Sequence, residues 1–132
     1  MRNSVLLIAL IGLCCMGCGH KKAGAEREHP EDAAVAYIQN MADEKYDECI
    51  KYMISCDSAS DAYKAKMKVL LKQFVRRKKE NGAGLKNVEC IHTDISTNGC
   101  SADTYMRLTY TNDSVETMVL PLVWQGKSWR LR

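Results

Sequence analysis

The chain has 132 residues, room for a single domain, and carries 19 Lys+Arg against 16 Asp+Glu for a formal net charge of +3. So small a basic excess, with only 6 Tyr, 2 Trp and 1 Phe distributed along the chain, argues against nucleic acid as a partner, which calls for a strongly basic face with stacking aromatics. No segment repeats and none is of low complexity.

Met1-Arg2-Asn3-Ser4 is a short, positively charged start, and Val5 to Met16 follows without a charge. A run of about 12 residues is too short to span a bilayer, which takes about 20 apolar residues, and it fits the apolar region of a signal peptide, roughly 7 to 15 residues. Cys15-Met16-Gly17-Cys18 comes next, and polarity then changes abruptly at Gly19-His20-Lys21-Lys22. This pattern resembles the lipobox of bacterial lipoproteins, with Gly17 before the cut and Cys18 as the thiol that is acylated; Cys15 stands where the family usually has Leu. The resemblance implies a signal peptide over 1–17 and acyl chains such as palmitate on Cys18. Because two or more chains hold a membrane firmly at about 0.8 kcal/mol per buried CH₂, the membrane is an expected partner through Cys18. Residues 18–29 then read as the lipidated cysteine and a flexible tether. With basic rather than acidic residues after the anchor, the resemblance places the protein in the cell envelope, facing the periplasm. The competing accounts are an ordinary secretory signal with a chance cysteine and a buried N-terminal helix.

The domain is expected over 30–132. Pro30-Glu31-Asp32 starts a helix, and Ala34, Val35, Ile38, Met41 and Ala42 recur at helical spacing. A second helix follows Asp43-Glu44-Lys45, with Tyr46, Cys49, Ile50 and Met53 on one side. A third begins at a cap within Asp57-Ser58-Ala59-Ser60 and ends at Asn81-Gly82. Its stripe of Met67, Leu70, Leu71, Phe74 and Val75 marks it as the main packing element across the sheet. From Leu85 the period becomes two. Val88–Ile95 reads as a strand and Asn98-Gly99 as a two-residue hairpin turn. Ala102–Tyr110 reads as a second strand, and Thr117–Trp124 as a third, with Pro121 at a bulge or edge. Ser128–Leu131 closes the series. Three helices before a four-stranded antiparallel meander give the α+β class, with the helices on one sheet face.

The opening Pro30-Glu31-Asp32-Ala33-Ala34-Val35-Ala36-Tyr37-Ile38, then Asp43-Glu44-Lys45-Tyr46-Asp47-Glu48, and the closing Gly126-Lys127-Ser128-Trp129-Arg130-Leu131 carry a family likeness. They resemble the uncharacterised, formerly lumazine-binding-like domain of small bacterial lipoproteins, in the nuclear-transport-factor-2-like (cystatin-like) superfamily. That resemblance implies a cone in which a curved sheet encloses a pocket against the helices. It brings no catalytic residues and no cofactor with it.

Four further cysteines, Cys49, Cys56, Cys90 and Cys100, are candidate disulfide partners in an exported protein or buried thiols acting as small apolar residues. With a two-residue turn, Cys90 faces Arg107 and lies roughly 20 Å along the sheet from Cys100, too far for a bridge. Beyond Cys15 and Cys18 of the lipobox-like stretch, the sequence has no C-x-x-C and no H-x-x-x-H spacing of the kind metal ligands use. His92, Asp94 and Tyr105 fall on one strand face in the same register, where acid–base chemistry needs a pocket and the ordinary account is a solvated face shared with Asp103 and Arg107. Lys64, Lys66, Lys68, Lys72, Arg76, Arg77, Lys78 and Lys79 suit anionic headgroups or the wet side of an amphipathic helix. The leading expectation is a non-catalytic module that binds a small ligand or an envelope protein, with Tyr37, Met106 and Leu108 as candidate pocket residues. The alternative is an enzyme of the isomerase or dehydratase kind, and a structural envelope component comes third.

Overall fold

The structure, a computed structural model, describes residues 27–132; the expected signal peptide, Cys18 and the tether as far as residue 26 lie outside them. Pro30 at the first helical position and two acids in the first turn start α1 (Pro30–Ala42). There a missing N–H costs nothing, and carboxylates meet the positive end of the helix dipole. Glu44 turns the chain with a left-handed φ of 62° into α2 (Tyr46–Lys51). This helix is shorter than its apolar stripe suggested. Met53 leaves it to form a parallel bridge with Leu131, and Ile54–Cys56 makes one 3-10 turn. Ser60 caps α3 (Asp61–Glu80), its Oγ accepting from the Tyr63 N–H at 3.1 Å. Gly82, at φ 71°, lets the chain leave beyond Asn81.

β1 (Leu85–Ile95), β2 (Ser101–Tyr110), β3 (Val115–Trp124) and β4 (Trp129–Leu131) form one antiparallel sheet in the order β1-β2-β3-β4. The fold is therefore α+β, with the helices packed on one face of a curved four-stranded meander. The Asn98-Gly99 turn is wider than two residues. Ser96 N–H donates to Ser101 O at 2.9 Å across the loop, and of Asn98 and Gly99 only the glycine has positive φ, 72°. A two-residue type I′ turn needs positive φ at both positions. Asn98 instead uses its side chain, with Oδ1 accepting from the Cys100 N–H at 2.9 Å.

The register puts His92 opposite Tyr105 and Asp94 opposite Asp103, as the sequence suggested. Nearer the start of β1 it slips. Cys90 pairs with Met106 rather than Arg107, because Ile91 has no partner, and a second shift leaves Lys86 without one. Each extra residue bends the strand and increases its twist.

Across the hollow so formed lies α1. Ala33, Ala34, Tyr37, Ile38 and Met41 are buried in one cluster with Val88, Met106, Leu108 and Leu122. This corrects the expectation that α3 is the principal packing helix: only Leu71 and Val75 of α3 are buried, and Leu70 remains 48% exposed. The reason lies in the side chains. Alanines let α1 approach the sheet closely, whereas α3 sits outside against the α1–α2 turn and α2, tied by Lys79–Glu44 at 3.0 Å and Lys68–Asp47 at 2.8 Å. Ordered contacts also begin ahead of Pro30. Trp129 donates its backbone N–H to Glu28 Oε1 at 3.0 Å and its indole N–H to Glu28 O at 2.8 Å. The Arg27 guanidinium lies 4.2 Å from the Trp124 ring centroid.

These burials order the effects of truncation. Ile38→Ala removes a side chain only 1% exposed and should cost about 2 to 5 kcal/mol. Phe74→Ala, at a half-buried ring, should cost less than Ile38→Ala, and Lys72→Glu should stay within about 0.5 kcal/mol. Denaturant unfolding of the three variants checks the order.

Candidate functional site

The inner face of the sheet and the helices enclose two apolar spaces. The deeper one lies under the end of α3 and is about 50 Å³, with Ile38, Phe74, Leu108 and Tyr110 among its walls. That is room for a few waters and far below the roughly 300 to 1,000 Å³ of small-molecule sites. The second is an open groove of about 260 Å³ between α3 and β3. Tyr37 and Met41 of α1 form its depth; Met67, Leu70, Leu71 and Phe74 line the α3 side, and Met118 and Leu120 the β3 side. Every one of these side chains is apolar except for the Tyr37 hydroxyl. Burial pushes that group up to about 12, so it remains a neutral hydrogen-bonding group.

The three residues singled out from the sequence are thus separated. Tyr37 lines the groove, Leu108 the small cavity, and Met106, with 0% exposure, fills the core. Met67, Leu70, Met118 and Leu120 went unremarked as site residues. The signal for them was the width of the α3 stripe. From Leu70 to Val75 it spans roughly 140° of helix circumference at 3.6 residues per turn, more than one line of contact covers. The surplus edge of the stripe forms the groove wall.

A third concavity, between α1–α2 and β4, is polar. Several of its polar groups are already engaged: Lys51 meets Glu48 at 2.9 Å, Arg130 forks onto Asp57, and Glu28 accepts from Trp129. At the inner end of the cone, the Lys78 ammonium lies 3.2 Å from Glu116, which also accepts from the Tyr110 hydroxyl. The Tyr110 hydrogen bond, joined by Lys78, holds the Glu116 carboxyl below the usual carboxylate range. Burial, followed by the Glu116 hydrogen bond, pushes Tyr110 up.

His92, Asp94 and Tyr105 do come together. His92 Nε2 lies 2.7 Å from Asp94 Oδ1, and the His92 and Tyr105 rings stack at 5.4 Å. They do so on the outer sheet face, where the His92 and Asp94 side chains are each 61% exposed beside an Arg107–Glu89 ion pair at 3.0 Å. The charge of Asp94 raises the Tyr105 hydroxyl, and none of the three concavities described above is lined by His92, Asp94 or Tyr105. The basic residues of α3 are likewise partly engaged, three of them (Lys68, Lys78 and Lys79) in ion pairs.

None of the four candidate disulfide cysteines is bridged. Cys49 is buried on α2 with its thiol toward Tyr37 O at 3.8 Å, and Cys56 is buried in the 3-10 turn. Cys90 is half-buried beside Thr93 at 3.3 Å, and Cys100 is exposed in the β1–β2 loop. They occupy four separate elements. Among the described residues no group of three His, Cys, Asp or Glu side chains is gathered as a metal site would require.

No protein-family model and no curated protein sequence matches the chain. Among solved structures it is similar to the crystal structure of a Campylobacter jejuni protein provisionally named a nuclear-transport-factor-2-like transpeptidase. The TM-score is 0.66 at 17% identity, over 79% of this chain and 97% of that one. At that identity the likeness establishes the fold: the domain is a nuclear-transport-factor-2-like cone.

The Glu116 cluster should show in the acid limb of stability. A carboxyl whose folded value is lowered contributes stability above its unfolded value, and that contribution disappears as pH falls through the folded one. Thermal unfolding followed from about pH 5 down to about pH 3 should therefore show a shallower fall for Glu116→Gln than for the native chain.

Proposed function

We propose that this chain is a lipoprotein held to an envelope membrane, facing the periplasm, through acylated Cys18, and that its cone-shaped domain binds a small apolar ligand or an apolar protein segment without converting it chemically. The observation that carries the binding half is the groove between α3 and β3. It is open, about 260 Å³, and lined by side chains that attract apolar matter but neither donate nor abstract protons under ordinary conditions. Small-molecule sites combine an apolar lining with a few polar groups, and here Tyr37 supplies the one hydroxyl. Exposed apolar surface of this kind is costly to leave in water, so a binding role accounts for Leu70 and Met118 facing it. The anchoring half rests on the charged start, the uncharged run from Val5 to Met16, and Gly17 before Cys18.

Two experiments separate the halves. Cys18→Ser should move the protein from the membrane fraction to the soluble fraction or leave the precursor uncleaved, and mass spectrometry of the native protein should find an acylated N-terminal cysteine. An unmodified cysteine there would sink the anchoring. For the groove, 1-anilinonaphthalene-8-sulfonate serves as an apolar anionic probe. The native chain should bind it saturably, and a probe at 100 times its Kd should stabilise the domain by about 2.7 kcal/mol. Leu70→Glu, at an already exposed position, should weaken binding about tenfold, a loss of about 1.4 kcal/mol, with little change in the stability of the free domain. Turnover of any screened compound, abolished by His92→Ala or Asp94→Ala, would replace the binding reading with an enzymatic one.

A further inference from the structure

β4 pairs with β3 only from Leu122 to Trp124, so among the described residues the rest of β3 has β2 on one side and no strand on the other. Which groups face the open side follows from the ladder. Tyr110 N–H donates to Ser114 O at 2.9 Å, and Trp124 N–H to Cys100 O at 2.8 Å, so the even-numbered residues of β3 exchange hydrogen bonds with β2. In an antiparallel ladder the alternate residues point their N–H and C=O the other way. For β3 these are Val115, Thr117 and Val119. The free run is bounded at both ends. Pro121 has no N–H and its carbonyl already accepts from Arg132 N–H at 3.2 Å, while Asp113 turns the chain with φ 67°. What remains is three donors and three acceptors, spaced symmetrically about Thr117.

We propose that two copies of this chain pair antiparallel through this edge, with the two-fold axis at Thr117. In that register Thr117 meets Thr117 of the second copy, and Val115 meets Val119 in both directions. All three residues on each side then exchange both of their backbone hydrogen bonds, and the two four-stranded sheets become one. No other register does as well: a shift of two residues toward Leu120 sets Val115 against Pro121, which has no N–H to give. The chemistry of the edge agrees. Strands that stay unpaired in monomers carry outward charge, proline, a bulge or a cover, and among the described residues the run Val115–Val119 carries none of these. Its outward side chains are Val115, 58% exposed, Thr117, and Val119, 46% exposed, β-branched residues that suit cross-strand pairs. Its one charged neighbour, Glu116, is held inward by Lys78 and Tyr110 and does not repel a second copy. The groove opens along the same edge, so the second copy's β3 extends its floor: Met118 of each copy lies opposite Glu116 of the other.

The test uses the full chain in its membrane. Residues of a hydrogen-bonded antiparallel pair have Cα atoms about 5.5 Å apart, within disulfide range. Thr117→Cys, in a Cys100→Ser background that removes the exposed native thiol, should form a covalent dimer on mild oxidation, whereas Asp113→Cys in the same background should not. In detergent, sedimentation should find the native chain as a dimer. Thr117→Pro deletes both central N–H donors at a position that faces away from β2, and should weaken the dimer about tenfold or more with the thermal unfolding of the subunit unchanged. Val119→Lys, which places a charge on the edge, should do the same. A native chain that sediments as a monomer, an absence of Thr117→Cys cross-links, or a dimer indifferent to both substitutions overturns the proposal; a distinct envelope protein recovered on the Thr117→Cys thiol in place of a second copy overturns it too.

Discussion

Everything in this domain depends on β1 being too long for its partner. Two residues, Lys86 and Ile91, have no place in the ladder with β2, and each one bends the strand and swaps which face the next residues serve. Without the swap at Ile91, either Val88 and Cys90 or Thr93 would point to solvent. With it, Leu85, Val88, Cys90 and Thr93 all face inward, while His92 and Asp94 face outward. The bend makes the hollow, and the hollow determines which helix fills it. Only α1, with Ala33 and Ala34 in contact with the sheet and Tyr37, Ile38 and Met41 beyond them, is slim enough on one side to lie there.

The placing of α1 leaves α3 with more apolar surface than it has partners for. Leu71 and Val75 reach the core; Met67 and Phe74 are covered in part; Leu70 is not covered. The same excess exists on β3, where β4 is only three residues long and does not extend alongside Met118 and Leu120. The groove is therefore what two incomplete packings leave between them. This explains why it is apolar throughout: its walls are core residues that were not closed over. The cone has meanwhile closed its interior by ordinary means, with Met106 and Leu108 in the centre and the Lys78–Glu116–Tyr110 cluster at the far end.

Most of the fold was legible because it rests on short-range signals. Pro30 with two acids, a cap within Asp57-Ser58-Ala59-Ser60 (Ser60 in the structure), Asn81-Gly82 as a stop and the change to period two at Leu85 each reflect local backbone chemistry, and each lies within the span the sequence indicated. The pairing of His92 with Tyr105 was also legible. The loop 97–100 and the two-residue turn expected at Asn98-Gly99 give the same register, so the right pairing came from the wrong turn. Ile91 marks where legibility ended. A bulge has no residue signature in an apolar strand, and its effect on Cys90 is a matter of tertiary fit. The site fared worse for a related reason. Periodicity identifies apolar residues but not which of them another element will cover, so Met106 and Leu70 look equivalent until α1 and β4 are in place.

The contact between Glu28 and Trp129 joins residues 101 positions apart, close to the full span of the domain. Loop closure of that size is entropically slow to reach, and the contacts of α1 with β1 and β2 span 43 to 80 positions. The first helix of the described domain therefore depends on strands that follow it in the chain. Until β1 and β2 have followed it, α1 has no sheet to lie in, and its apolar stripe stays in water. The contact that closes the domain comes last in chain order, when Trp129 of β4 meets Glu28 ahead of α1.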